Sequence, residues 1–193
     1  MTARTKKAPV ARAPRPVGTR KITFGGANSL DNFIARPDHA VDWLLWSDEA
    51  GEVMKDYWST IDTIIMGRKT YEVAAKSGQG GGGFPGVSTY IFSRTLTSVP
   101  KGATLVSEDV ADFVRRLREE PGQDICIMGG GELARPLFEA GLIDEIGFNI
   151  HPVLLGSGIP LFADLPQPLH LELASTTPFR AGAVAYVYRP VTG

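Results

Sequence analysis

A chain of 193 residues, 43% hydrophobic and 21% charged, has the size and balance of one soluble globular domain with a sizeable core. No apolar run approaches the length of a membrane span, and the single cysteine, Cys126, excludes both a disulfide framework and a cysteine-rich metal site. The net charge of −1 conceals six cations and no acid in residues 1–20, which leaves the remainder at −7 and argues against non-specific nucleic-acid binding.

The leader MTARTKKAPVARAPRPVGTR is rich in Ala, Pro and Arg and has no hydrophobic periodicity, so residues 1–19 read as a disordered basic extension. It lacks the apolar segment of a secretory signal, and the simplest setting is a reducing cytoplasm. Residues 20–190 then make one domain. KITFGGA (21–27) is strand-like, and DEAGEVMKDYWS (48–59) is a helix weakened by Gly51. DTIIMG (62–67) is a short buried strand, followed directly by the helix RKTYEVAAK. SGQGGGGFPG (77–86) reads as a linker, because no helix follows its glycines. VSTYIFS (87–93) is a strand, and SEDVADFVRRLREE (107–120) is the clearest helix, with Ser107 as its cap, acids in its first turn and arginines in its last. DICIM, three glycines, a helix and the strand EIGFNIHPVLL (145–155) follow. The tail LHLELASTTPFRAGAVAYVYRP holds two alternating runs, an antiparallel pair at a sheet edge. Strands alternating with helices predict an α/β fold: a mostly parallel central sheet, helices on both faces and an antiparallel C-terminal edge.

Ligands in such sheets bind beyond the carboxyl ends of the strands. Three glycine-bearing turns lie at such ends: Gly25-Gly26-Ala27, Met66-Gly67-Arg68 and Gly129-Gly130-Gly131. The last joins a strand to a helix N-terminus, which is either an anion cradle or a tight turn packed against its neighbour. Its G-x-G-x-x-A spelling lacks an acid about 20 residues on, since Asp144 and Glu145 come too early for a dinucleotide fingerprint. Arg68 and Lys69 open a helix where cations oppose the dipole, which is either a solvated pair or a phosphate contact. Ser93-Arg94 closes the next strand in the same way. His39, His151 and His170 have no metal-ligand spacing, so no metal is expected. There is no G-x-S-x-G elbow and no P-loop.

Taken in order, ITFGGANSLDNFIARPDHAVDW, DTIIMGRKTYE, YIFSR, DICIMGGGELARPLFEAGLIDEI and HPVLLGSGIPLF resemble the dihydrofolate reductase-like superfamily. They are most similar to its riboflavin-biosynthesis branch, the reductase domain of the bifunctional deaminase–reductase. The resemblance runs from about residue 20 to 189 and implies the three-layer dihydrofolate reductase-like fold, NADPH as cofactor and hydride transfer to a pyrimidine- or pteridine-like substrate. The branch's own substrate is 5-amino-6-(5-phosphoribosylamino)uracil. By that resemblance Gly129-Gly130 lies over the cofactor pyrophosphate, commonly through a cis peptide, and Gly131, Glu132 and Leu133 begin the phosphate-facing helix. Gly67 and Arg68 form the cofactor turn, Arg68 neutralises the adenosine 2′-phosphate, and Lys69 and Thr70 continue that contact. Ser93 and Arg94 flank the adenine end, while Ala27 lies along the nicotinamide near Ile34.

The substrate is expected between the loop from Ser29 to Trp43 and the nicotinamide. Ser29 and Trp43 are candidate substrate contacts. Asp31 and Asp42 are candidates to hydrogen-bond the substrate or relay a proton, against a loop-capping role for each. The early-helix acid of dihydrofolate reductases has no clear counterpart among Ser47, Asp48, Glu49 and Glu52. Dihydrofolate reductase itself is the alternative within this class, and a nucleotide-binding module without turnover is the alternative outside it. A flavodoxin-like flavin binder fits the α/β alternation but explains neither Arg68 nor the triple glycine. The expected partners are a small-molecule substrate and a second copy of the chain, since related reductases often pair through a sheet edge; nucleic acid and membrane are not expected.

Overall fold

The computed structural model describes residues 19–76 and 86–191. The basic leader and nearly all of the glycine-rich linker lie outside the described residues. In chain order the elements are β1 (Ile22–Ser29), β2 (Phe33–Ala35), α1 (Asp48–Trp58), β3 (Ile61–Gly67), α2 (Arg68–Lys76), β4 (Ser88–Phe92) and β5 (Ala103–Val106). There follow α3 (Val110–Arg118), β6 (Asp124–Met128), α4 (Gly131–Glu139), β7 (Glu145–His151), β8 (Ile159–Pro160), β9 (Leu171–Pro178) and β10 (Val184–Pro190).

Eight strands form one sheet in the order β5-β4-β3-β6-β1-β7-β10-β9. The pairings from β5 through β7 are all parallel, whereas β10 runs antiparallel to β7 and β9 antiparallel to β10. The parallel strands are apolar on both faces because helices cover both. Along β6, Ile125 and Ile127 join a core with Val110, Val114 and Leu117 of α3 and Ala134 and Leu137 of α4. Cys126 points the other way, into a core with Ile64, Met66 and Ile91 against which Tyr57 of α1 and Tyr71 of α2 pack. The three layers, and the antiparallel C-terminal edge, are those expected from the alternation of apolar runs. A small antiparallel pair, β2 with β8, sits apart from the main sheet.

The short strands β2, β5 and β8 were not read from the sequence, and several boundaries differ from that reading, two of them with a clear physical reason. Ser107 does not cap α3; Asp109 does, its carboxylate accepting the Ala111 and Asp112 N–H groups at 2.9 and 3.0 Å. The helix starts there because Val110 is its first buried residue, while Ser107 and Glu108 face solvent. The strand β7 stops at His151 instead of reaching residue 155. Pro152 has no N–H for the ladder, and the chain turns at once, the Val153 N–H bonding back to the His151 carbonyl at 2.8 Å.

The strand amino ends are closed by charge. Arg20, only 3% exposed, donates to Asp62, Thr63 and the carbonyls of Gln123 and Leu117. The carboxyl ends of β1, β3, β4 and β6 lie together at the opposite edge, where the turns at Gly67 and at Gly129-Gly130-Gly131 emerge; Gly25-Gly26-Ala27, expected as a third turn, is instead the paired middle of β1, which runs on to Ser29.

Candidate active site

That edge opens into a cavity of about 1570 Å³. On one side its wall is built from the turns after β3, β4 and β6. Gly67, Arg68, Lys69 and Thr70 come from the first, Ser93 and Arg94 from the second, and Gly129, Gly130, Gly131, Glu132 and Leu133 from the third; Ala27 and Ile34 line it as well. Every residue expected at the cofactor therefore borders one cavity, although the turns are far apart in sequence.

The helices α2 and α4 both begin at this wall. The cap of α4 is Gly130, which offers no side chain to the helix N-terminus, so the first N–H groups of α4 are left to a ligand or water. The helix α2 has no acid in its first turn. Arg68 instead reaches forward to Glu72 at 2.8 Å, and Lys69 lies 3.7 Å from Glu132, all four side chains being well exposed. Ser93 shapes its own turn, its hydroxyl accepting the Thr95 and Leu96 N–H groups.

The three glycines are there for three reasons. Gly129 has φ of 122° and touches Thr70, whose hydroxyl occupies the space a Cβ would need. Gly131 lies against the backbone of Phe162 and Ala163, where again no Cβ fits. At Gly130 a Cβ would meet only the Ile34 side chain, at an ordinary 3.4 Å. Two glycines thus satisfy packing, and the middle one leaves bare backbone facing the cavity. The cis peptide implied at Gly129–Gly130 is absent: no described peptide bond is cis. The turn is made instead by the positive φ of Gly129, a region that glycine enters without steric cost.

The four other candidates lie outside the cavity lining. Asp31 accepts the Ser29 hydroxyl at 2.6 Å and the N–H groups of Leu155 and Gly156 at 3.2 and 2.8 Å. These bonds, the Ser29 one foremost, hold its carboxyl below the ordinary carboxylate range. Ser29 is fully buried and also accepts the Phe33 N–H. The Ser-Leu-Asp segment is therefore a clasp between the loop after β1 and the loop after β7. Asp42 is exposed and bound to Arg36 at 2.8 Å, a contact that lowers its pKa. Trp43 is buried, its ring edge-on to His151 at 5.5 Å.

What the sequence reading missed lies across the cavity, on β7 and α1. Parallel pairing sets Gly25 beside Gly147, Ala27 beside Asn149 and Ser29 beside His151, so Gly147, Asn149 and His151 share one face of β7 and all three border the cavity. His151 is buried, and its Nδ1 accepts the Leu45 N–H at 3.1 Å. Neutral imidazole then carries its hydrogen on Nε2. Burial pushes its pKa below the ordinary 6.5, so this neutral form prevails at pH 7. Tyr57 of α1 brings a buried hydroxyl beside Thr23 and Cys126 with no well-formed hydrogen bond, and burial raises its pKa well above 10. The Cys126 thiol is likewise raised by burial, to about 11, and is an inert core group. The signal for Asn149 and His151 was present as the period-two alternation of EIGFNIH, but a lone histidine on a strand has no spacing to mark it.

No helix among the described residues is long and apolar enough to cross a membrane, and no described cluster of His, Cys, Asp and Glu has the makings of a metal site. With this geometry in place, comparison with known proteins is informative. The model of the RibD C-terminal domain matches residues 20–185. The chain belongs to the RibD C-terminal domain family. This RibD C-terminal domain is 32% identical over 185 residues to YyaP of Bacillus subtilis, an uncharacterized protein, with 88% of the chain and 94% of the relative covered. Its fold is similar to that of a candidate riboflavin-biosynthesis protein of Shewanella sp. PV-4, at a TM-score of 0.73 and 24% identity, covering 90% of this chain and all of that one. It is similar too to dihydrofolate reductase of Enterococcus faecalis complexed with NADP(H), at a TM-score of 0.68 and 15% identity over 92% of this chain and 99% of that one. The fold is thus dihydrofolate reductase-like, and the family is that of a reductase domain.

Proposed function

We propose that this RibD C-terminal domain is an NADPH-dependent reductase of the riboflavin-biosynthesis type, acting on a pyrimidine- or pteridine-like ring. The observation that carries the reading is the convergence of two helix N-termini, α2 and α4, with Arg68, Lys69 and Arg94 on one cavity wall. Helix dipoles and cations together favour an anion with several phosphates, and Gly130 leaves its backbone bare where a pyrophosphate would approach. The residues present therefore fit NADPH.

When bound, NADPH supplies the hydride. Arg68 and Lys69 would hold the 2′-phosphate, Gly129 to Leu133 the pyrophosphate, Ser93 and Arg94 the adenine end, and Ala27 and Ile34 the nicotinamide. Across the cavity, Asn149 and the Nε2–H of His151 would align a ring carbonyl or imine. The buried neutral imidazole donates a hydrogen bond without placing a charge beside the reacting atoms. Titration of the purified protein with NADPH, followed by cofactor fluorescence, tests this. Saturable binding that is stronger for NADPH than for NADH is the expected result, with NADPH consumption when a suitable ring is added. Failure to bind NADPH would discard the proposal. Binding without consumption by pyrimidines, pteridines or dihydrofolate would leave a nucleotide-binding module.

A further inference from the structure

The cavity is divided by charge. On the side of β3, β4 and β6 its wall carries four cations, Arg68, Lys69, Arg94 and Arg135, with the acids Glu132 and Asp164 among them. On the side of α1, β7 and β10 the charged lining residues among those described are Lys55 and Glu145. Lys55 stands 3.8 Å from the exposed Glu52, and Glu145 binds Lys21 and Arg189 at 2.8 and 3.0 Å. Outside the lining, Arg36 is held by Asp42 at 2.8 Å, and the exposed Arg180 stands 3.9 Å from Glu49.

The same half is apolar in a way that calls for cover. Leu45 and Trp46, both lining the cavity, are 44% and 76% exposed. Exposing an indole at the mouth of a cavity is unfavourable unless a flat partner stacks on it. Met54, Phe179 and Ala183 continue the apolar wall inward. Apart from Lys55 and Glu145 its polar lining groups are uncharged, among them Asn149, whose amide donates to the Met54 sulfur at 3.5 Å, and His151 with its Nε2–H.

We infer that the substrate is an uncharged flat heterocycle without a phosphate, stacked on Leu45 and Trp46 and hydrogen-bonded by Asn149 and His151. A phosphate on the substrate would have to shed water against a largely apolar wall where Lys55, beside Glu52, is the one cation among the described lining residues, which is costly. The inference rests on the cofactor reading above, which assigns the cationic wall to NADPH. It departs from the phosphoribosyl substrate of the riboflavin-biosynthesis branch while keeping the ring.

The test uses the full chain saturated with NADP⁺ and three probes sharing one pteridine ring: lumazine, its 8-ribityl derivative and the 5′-phosphate of that derivative. Equilibrium binding is read by probe fluorescence at pH 7. The two unphosphorylated rings should bind, and the phosphate should weaken binding about tenfold or more. Trp46→Ala should weaken all binding of the rings while leaving NADP⁺ affinity unchanged. Tightest binding of the phosphate ester, a salt-sensitive preference for it, or no ring binding at all would overturn the inference. Since NADP⁺ binding is measured first and separately, loss of that step would instead strike the cofactor reading.

Discussion

Arg68 has two possible partners at once, a carboxylate of its own helix and an anion in the cavity. If it meets the 2′-phosphate, the charge-assisted bond contributes about 1.5–3 kcal/mol, roughly one to two decades in affinity. Glu72 competes for the guanidinium, so the lower end of that range is expected. Arg68→Ala should accordingly weaken NADPH binding about tenfold and leave NADH nearly untouched. Added salt should narrow the gap, because the side chain is 39% exposed. Equal losses for both cofactors would make Arg68 a structural residue. The glycines offer a second residue-scale contrast. Gly130→Ala should fold normally by circular dichroism and thermal melting yet bind NADPH more weakly, since its Cβ finds room in the protein but sits on the cavity wall where the proposed pyrophosphate would approach. Gly131→Ala should lose stability, because its Cβ meets the backbone of Phe162 and Ala163 and backbone cannot step aside cheaply. The reverse pattern would refute this division of labour.

At the scale of elements, the site depends on two loops held in register. The loop after β1 carries the Ser29–Asp31 clasp, and the loop after β7 supplies the Leu155 and Gly156 N–H groups it accepts. Asn in place of Asp keeps the shape but removes the charge that strengthens those bonds. Asp31→Asn should lower the melting temperature while reductase activity, measured below the melting transition, keeps its pH profile. A changed activity profile would restore Asp31 to the chemistry. The clasp also predicts acid sensitivity. The folded pKa is depressed, so its stabilisation is present above the ordinary value of 3.8 and is lost as pH falls through the lower folded value. The acid limb of stability below about pH 3.8 should therefore be shallower in Asp31→Asn than in the parent.

For the whole molecule, pH acts through His151 in a higher window. Its folded pKa is lowered by burial, so between that value and 6.5 the unfolded chain binds the extra proton. Stability should fall as pH drops below about 6.5, and His151→Gln should remove that part of the dependence in denaturant melts at several pH values. An unchanged slope would mean that the imidazole titrates normally. The outer edge of the sheet bears on assembly. All eight residues of β9 are exposed, and Leu169, Leu171 and Leu173 are 38%, 39% and 56% exposed. An uncovered apolar edge strand tends to find a partner, and pairing of two copies through β9 is the form the expected homodimer would take. Sedimentation should give twice 20.8 kDa, and Leu173→Glu should shift the protein toward the monomer. A monomeric parent would dismiss the pairing.

Local physics in the sequence was enough to place the helices, most strands of the main sheet and the three layers, though not the short strands β2, β5 and β8. Apolar runs such as IIM and ICI declare strands buried on both faces, and glycines or cations directly after them declare turns at one sheet edge. For the aspartates both readings stayed open, because a loop carboxylate looks the same in sequence whether it faces a ligand or clasps a neighbouring loop. Only the approach of Leu155 and Gly156, more than 120 residues away, distinguishes the two for Asp31. The role of each glycine in Gly129-Gly130-Gly131 was equally hidden, since it depends on Thr70, Ile34 and Ala163 lying around the turn. His151 and Asn149 enter the cavity through the register of β7 against β1. That register is a tertiary decision: it is made by packing between distant segments, and no local pattern records which side chains will meet.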